Sequence, residues 1–159
     1  MDQLRIMRQP AGAAQTMYDE AFVTPMRQEL VRLGFEELRT PEDVDARLPG
    51  PAGTTLVVVN SICGCAAGRA RPGVALALKQ ASVRPDRLTT VFAGQDRPAT
   101  ERARSHFAPY PPSSPQVALF KDGKLVFMMQ RSEIEGRDAP EIAEHLVEAF
   151  EQHCGSVMK

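Results

Sequence analysis

Cysteine is scarce in this sequence, with three in 159 residues, and histidine is equally rare. That is too few for a zinc-finger array or a disulfide-stapled scaffold. An excess of either charge is also lacking. Nineteen Lys and Arg stand against 20 Asp and Glu, a formal net charge of −1, which argues against a general electrostatic grip on nucleic acid or an anionic membrane. No apolar run is long. The best, Leu56–Val59 with its neighbours, is far too short to cross a bilayer. Met1–Pro10 mixes charged and apolar residues and lacks the continuous apolar core of a signal peptide. The expectation is a cytoplasmic protein whose cysteines are normally reduced.

What is present reads as a globular chain. Hydrophobic residues make up 43% and charged ones 25%, enough to build a core, and the length suits one domain over 1–159 with 1–16 as an N-terminal arm. Phe22, Met26, Leu30 and Leu33 recur at helical intervals before Gly34. Pro25 predicts that this helix starts near Thr24, with the proline in its first turn. Thr40-Pro41-Glu42-Asp43 reads as a second helix start, and Pro49–Gly53 as loop. Thr54–Asn60 (TTLVVVN) suits a strand buried on both faces. Residues 66–81 read as a helix that Pro72 should bend.

Leu88–Ala93 is the next strand, and Asp96–Phe107 a helix capped by Asp96 or Thr100. Gln116–Lys121 and Lys124–Gln130 flank Asp122-Gly123, a strong hairpin signal. Ser132 with Glu135 resembles a capping box, and a firmer helix runs from Asp138 or Ala139 to His153. A strand–helix–strand crossover, an antiparallel hairpin and a covering helix make a three-layer α/β sandwich with a mixed central sheet, helices on both faces and extra N-terminal helices.

The chemistry concentrates at Asn60-Ser61-Ile62-Cys63-Gly64-Cys65, where the buried strand feeds a helix. Free backbone N–H groups and the positive end of the helix dipole favour a thiolate there. A thiolate is the attacking species in thiol–disulfide exchange. One intervening residue lets the sulfurs reach each other, and Gly64 relaxes the backbone for it. After Cys63 attacks a mixed disulfide, Cys65 could displace the product by forming Cys63–Cys65.

Two other readings stay open at this point: a pair of buried structural cysteines, and a metal or iron–sulfur site. A closed metal site normally wants about four protein ligands, and Cys154 and the histidines lie at no recognisable ligand spacing. Cys154 reads as an incidental thiol, and His106 as a hydrogen-bonded structural histidine. Ser113-Ser114-Pro115, immediately before a strand, is a candidate cis-proline site.

Three segments together resemble the bacilliredoxin family, formerly a family of unknown function with a C-G-C motif. They are MYDEAFVTPMRQEL (Met17–Leu30), VVNSICGCAAGRARP (Val58–Pro72) and PPSSPQVALFKDG (Pro111–Gly123). The resemblance covers nearly the whole chain in order. It implies a thioredoxin-like fold and a role in thiol redox balance. Family members remove bacillithiol, a low-molecular-weight thiol, from proteins that carry it as a mixed disulfide, and weak disulfide isomerase activity is also ascribed to them. By that pattern Cys63 is the attacking cysteine and Cys65 the resolving one, with no metal. Gly64, Ser114 and Pro115 would then face substrate, Pro115 as the fold's cis-proline. The implied co-substrate is bacillithiol, with no bound cofactor. The implied partners are bacillithiolated proteins, with neither nucleic acid nor membrane. Helical N-terminal residues and exposed Phe or Met could support a homodimer.

Overall fold

The computed structural model describes residues 17–48 and 52–154. The expected arm at 1–16 and part of the proline–glycine loop, residues 49–51, lie outside the described residues. In chain order the elements are α1 (Glu20–Val31), β1 (Glu36–Glu37), α2 (Pro41–Arg47), β2 (Thr54–Asn60), a π-helical turn (Ala66–Ala70), α3 (Arg71–Gln80) and β3 (Arg87–Phe92). Then follow α4 (Arg97–Arg104), β4 (Gln116–Lys121), β5 (Lys124–Met129), α5 (Arg131–Glu135) and α6 (Ala139–His153).

The strands form one mixed sheet in the order β1-β3-β2-β4-β5. β1, β3 and β2 run parallel, while β4 pairs antiparallel with β2 and β5 antiparallel with β4. β2 lies inside this sheet and is buried along its whole length. Its alternation divides the core in two. Leu56 and Val58 join Val117 and Leu119 of β4 beneath α1, α3 and α6, in a cluster with Val74, Ile142, Leu146 and Phe150. Val57 and Val59 face the other way, with Ala118, Phe120, Val44 of α2 and Ala99 and Ala103 of α4. The result is the expected three-layer, thioredoxin-like sandwich. Gly73 lets α3 and α6 close tightly, since a Cβ there would stand 2.5 Å from the Ile142 Cγ2.

Several local expectations are corrected. α1 begins a turn before Thr24, because Asp19 caps it by accepting the Ala21 N–H. Pro25 therefore lies inside the helix. Residues 66–81 are not one bent α-helix: a π turn over Ala66–Ala70 runs directly into α3, and Pro72 lies at the second residue of α3, just past that change of helix type. Asp96 stands at the N-cap of α4 without making the cap bond, since its carboxylate is turned to Arg27 instead. The capping box of α5 is Gln130 with Glu133, not Ser132 with Glu135. β1 has no counterpart among the expected elements. The capping boxes at Thr40 and Asp138, and the Asp122-Gly123 turn with both φ angles positive, follow the sequence signals. Among the described residues no helix is long and apolar enough to cross a membrane.

Candidate active site

The end of β2 is pinned from below by a buried arginine. Arg71 of α3, 3% exposed, donates from Nη1 to the Asn60 Oδ1 at 2.8 Å and to the Ser61 carbonyl at 2.9 Å. Its Nε pairs with Glu29 at 2.8 Å. Asn60 Oδ1 also accepts the Ser61 N–H, and its Nδ2 donates to the Met26 carbonyl. These bonds fix where the chain leaves the sheet, and so fix the two residues that follow.

Cys63 and Cys65 are both free thiols and both half-buried. Ser61 donates its hydroxyl to the Cys63 Sγ at 3.3 Å, and the Cys63 thiol points toward the Ser114 carbonyl at 4.0 Å. The Ser114–Pro115 peptide is cis. Ala108–Pro109 is cis as well, and no sequence signal marks it. Gly64 is exposed between the cysteines, with nothing near the place a Cβ would occupy.

Cys65 faces another group. Its thiol donates to the Glu135 Oε2 at 3.7 Å, across 70 residues of sequence. Glu135 is paired with Arg131 one helical turn earlier, at 2.8 Å. Arg131 in turn donates from Nη1 to the Ser114 carbonyl at 3.3 Å. One exposed ion pair on α5 therefore stands beside both cysteines, and no sequence signal points to either of its members as part of the site.

The electrostatics separate the two thiols. Burial works against a Cys63 thiolate, but the Ser61 hydroxyl, the Ala66 and Cys65 N–H groups and the Arg131 charge outweigh it and hold its pKa below the ordinary value. Burial pushes the Cys65 thiol up, followed by the negative charges of Cys63 and Glu135, with Arg131 only partly opposing. Cys63 is thus the acidic member and Cys65 stays protonated. Arg131→Met should move the midpoint of Cys63 alkylation by iodoacetamide to higher pH, so that less thiolate is present at neutrality. Glu135→Gln should instead lower the Cys65 midpoint. Unchanged profiles in both variants would remove the pair from the site.

A cavity of about 280 Å³ opens beside Cys63, lined also by Tyr18, Ser61, Gly94, Arg104 and Ser114. The remaining expected residues lie elsewhere. Cys154 stands near Thr54, the first residue of β2, and hence at the opposite end of that strand from Cys63, with its thiol pushed up by burial. The Nε2 of His106 is buried with no hydrogen-bond partner among the described residues, so at this nitrogen the expectation of a hydrogen-bonded histidine is not met. Among the described residues no three His, Cys, Asp or Glu side chains gather in a metal-binding group.

A sequence profile of a family described as disulphide isomerase matches residues 18–154. A bacilliredoxin of Symbiobacterium thermophilum is 58% identical over 130 residues, covering 82% of this chain and 91% of that protein. A bacilliredoxin of Salinibacter ruber is 56% identical, covering 87% and 82%. One of Koribacter versatilis is 53% identical, covering 88% and 96%. Among solved structures, thioredoxin of Fasciola hepatica superimposes with a TM-score of 0.48 at 21% identity, covering 75% of this chain and 99% of that one. With a paired set of unequal thiols at a strand–helix junction and relatives of this similarity along most of its length, the chain belongs to the bacilliredoxin family of thiol–disulfide oxidoreductases.

Proposed function

We propose that the protein releases bacillithiol from protein mixed disulfides in the cytoplasm, using Cys63 as nucleophile and Cys65 as resolving thiol. The observation that carries this reading is the unequal acidity of the two cysteines. The Cys63 thiolate attacks the bacillithiol sulfur of the mixed disulfide. The bond to the target protein breaks, the target leaves as a thiolate that takes a proton from solvent, and Cys63 carries bacillithiol. Ser61 and the helix-start N–H groups hold the attacking sulfur; exposed Gly64 and half-buried Ser114 flank its approach, while Pro115 itself is buried.

The second step follows from the charges. While Cys63 is a thiolate, its charge keeps Cys65 protonated. Once Cys63 is bonded to bacillithiol that charge is gone, one of the causes that raise the Cys65 pKa disappears, and more Cys65 thiolate forms. Cys65 then attacks the Cys63 sulfur, forming Cys63–Cys65 and expelling bacillithiol as a thiolate; a second bacillithiol can act in its place. The order of the two attacks is thus set electrostatically.

Cys65→Ser tests this. The variant should still free the target protein, and should accumulate an adduct of one bacillithiol per chain, located on Cys63 by mass spectrometry. An adduct on any other residue would overturn the assignment. General disulfide isomerisation is the second reading, favoured by the description of the matching family profile. Rates on a bacillithiolated protein and on a scrambled-disulfide substrate separate the two, and the first is expected to be the faster.

A further inference from the structure

We propose that the cleft beside Cys63 contains an anion subsite, built on Arg104 and Arg97, that takes a carboxylate of the small thiol disulfide-bonded to Cys63. The inference rests on the reading above, in which a small thiol becomes attached to Cys63.

Arg104, at the last turn of α4, lines the same cavity as Cys63 and Ser114. It is half-buried. Its Nη2 donates to the Ser113 carbonyl at 2.7 Å and its Nε to the Gln116 Oε1 at 3.4 Å. Both acceptors are neutral. They hold the guanidinium in place and leave Nη1 without a hydrogen bond among the described residues. The more deeply buried arginines are treated differently: Arg27 is met by Glu20, Glu37 and Asp96, and Arg71 by Glu29. Among the described residues Arg104 has no such partner. Burial presses its pKa below the ordinary value, and Glu101 offsets only part of that. A guanidinium drawn out of water with no carboxylate hydrogen-bonded to it is an unfavourable arrangement that a ligand's carboxylate would relieve.

The cavity does not end at Arg104. Beyond Gly94, a second hollow of about 120 Å³ is lined by Arg97, Thr100, Glu101 and Arg104. Arg97 is exposed and likewise has no ion pair among the described residues. The Thr100 hydroxyl is already committed to the Phe92 and Asp96 carbonyls. The donors left free toward this hollow are therefore the two guanidinium groups, against the single carboxylate of Glu101. Gly94 separates the hollows with φ +84 and bare backbone, and any Cβ there would stand 3.2 Å from the Tyr18 ring. A ligand whose sulfur lies on Cys63 can thus extend over Gly94 with its far end between Arg104 and Arg97. Arginine's fork suits a carboxylate, which it binds through two parallel N–H···O bonds.

The expected selectivity opposes the intrinsic one. A free thiolate reacts more slowly with an anionic disulfide than with a neutral one, because like charges approach. Preference for an anionic disulfide must then come from the cleft. Reduced full-length protein would be mixed separately with dithiodipropionate, which is anionic, 2-hydroxyethyl disulfide, which is neutral, and cystamine, which is cationic. In each case the Cys63 thiolate bonds to one sulfur, becoming oxidised, and the other half leaves as the reduced thiolate. Rates are divided by those of 2-mercaptoethanol with the same disulfide.

The corrected ratio of anionic to neutral probe should be roughly ten- to a hundredfold in the wild type, the scale of a charge-assisted hydrogen bond. It should be lowest for cystamine, fall to near one in Arg104→Met, and fall part-way in Arg97→Met. Arg104→Lys should keep part of it, and serves if the methionine variant fails to fold. A wild-type ratio near one, or a ratio unchanged in the Arg104 variants, would overturn the subsite. These probes contain no polypeptide, so acidic side chains of a protein substrate cannot produce the preference. If bacillithiol release fails while the ratio holds, the bacillithiol reading falls and the subsite stands for another anionic thiol. If release is normal while the ratio is flat, the subsite alone falls.

Discussion

Cys63→Ser should reduce release of bacillithiol from a modified protein on the order of a thousandfold or more, the scale of losing a covalent nucleophile. Serine fills nearly the same space and can accept the same Ser61 hydrogen bond, so the fold gives no other reason for the loss. The hydroxyl stays protonated at neutral pH, whereas the site holds the cysteine sulfur as thiolate more readily than an ordinary thiol. The other cysteines are poor substitutes. Cys65 would lose the opposing charge of Cys63, yet burial and Glu135 still favour its protonated form. Cys154 lies at the far end of β2 and its thiol is raised. The release should be followed by mass spectrometry of the target protein under single-turnover conditions, with Cys65→Ser run in parallel. Retention of more than a few per cent of the wild-type rate in Cys63→Ser would end the assignment of Cys63 as nucleophile.

Features carried by short stretches of sequence are legible in the residues themselves. The apolar, β-branched run of Thr54–Asn60 can be satisfied only inside a sheet, and it is buried throughout. The Asp122-Gly123 turn and the Asp138 cap are decided by backbone preferences within a few residues. The placement of Cys63 after a buried strand and at the start of a helix is visible for the same reason, because its activating groups are near neighbours in sequence.

The groups that tell Cys63 from Cys65 are not legible in this way. Glu135 comes within 3.7 Å of Cys65 only because β4 and β5 return the chain and α5 turns over the end of β2. By sequence alone it reads as half of a capping box, a local role that Gln130 and Glu133 fill instead. Nothing in the sequence singles out Arg104; that it lacks an ion pair among the described residues emerges only where the fold sets it beside Ser113 and Ser114. β1 carries no apolar signal, being two glutamates. It is a strand because its backbone pairs with Thr89 and Thr90, and Glu37 finds its charge partner across the sheet edge.

That charge partner is Arg27, and Arg27→Met should destabilise the protein by about 3 kcal/mol. Arg27 is 4% exposed and binds Asp96 with both ends of its fork, at 2.7 and 3.1 Å, together with Glu20 at 2.7 Å and Glu37 at 2.9 Å. Its guanidinium also lies 5.3 Å from the centre of the Phe92 ring. It thereby ties α1 and β1 to the turn that leads into α4. Methionine keeps most of the packing volume but leaves three carboxylates facing one another, of which Asp96 is only 11% exposed. Breaking a buried pair commonly costs about 3–5 kcal/mol. Arg39 reaches Glu20 at 3.2 Å and Asp96 at 3.9 Å, and its residual charge places the expected value near the lower limit. In a chain of this size the midpoint of thermal unfolding should fall by roughly 10 °C. Acid separates lost charge pairing from lost packing. Burial opposes a Glu20 carboxylate, but hydrogen bonds from Arg27 and Gln95 hold its pKa below the ordinary 4.5. A carboxyl lowered in the folded state adds stability above its unfolded value, and that contribution is lost as pH falls through the folded value. The variant keeps only the part of it that Gln95 and Arg39 supply. The gap in unfolding free energy between wild type and Arg27→Met should therefore narrow as pH is lowered below about 4.5. Denaturant titrations at neutral pH and at successively lower pH measure that gap, and a gap of constant size would show that packing, rather than charge, is what Arg27 supplies.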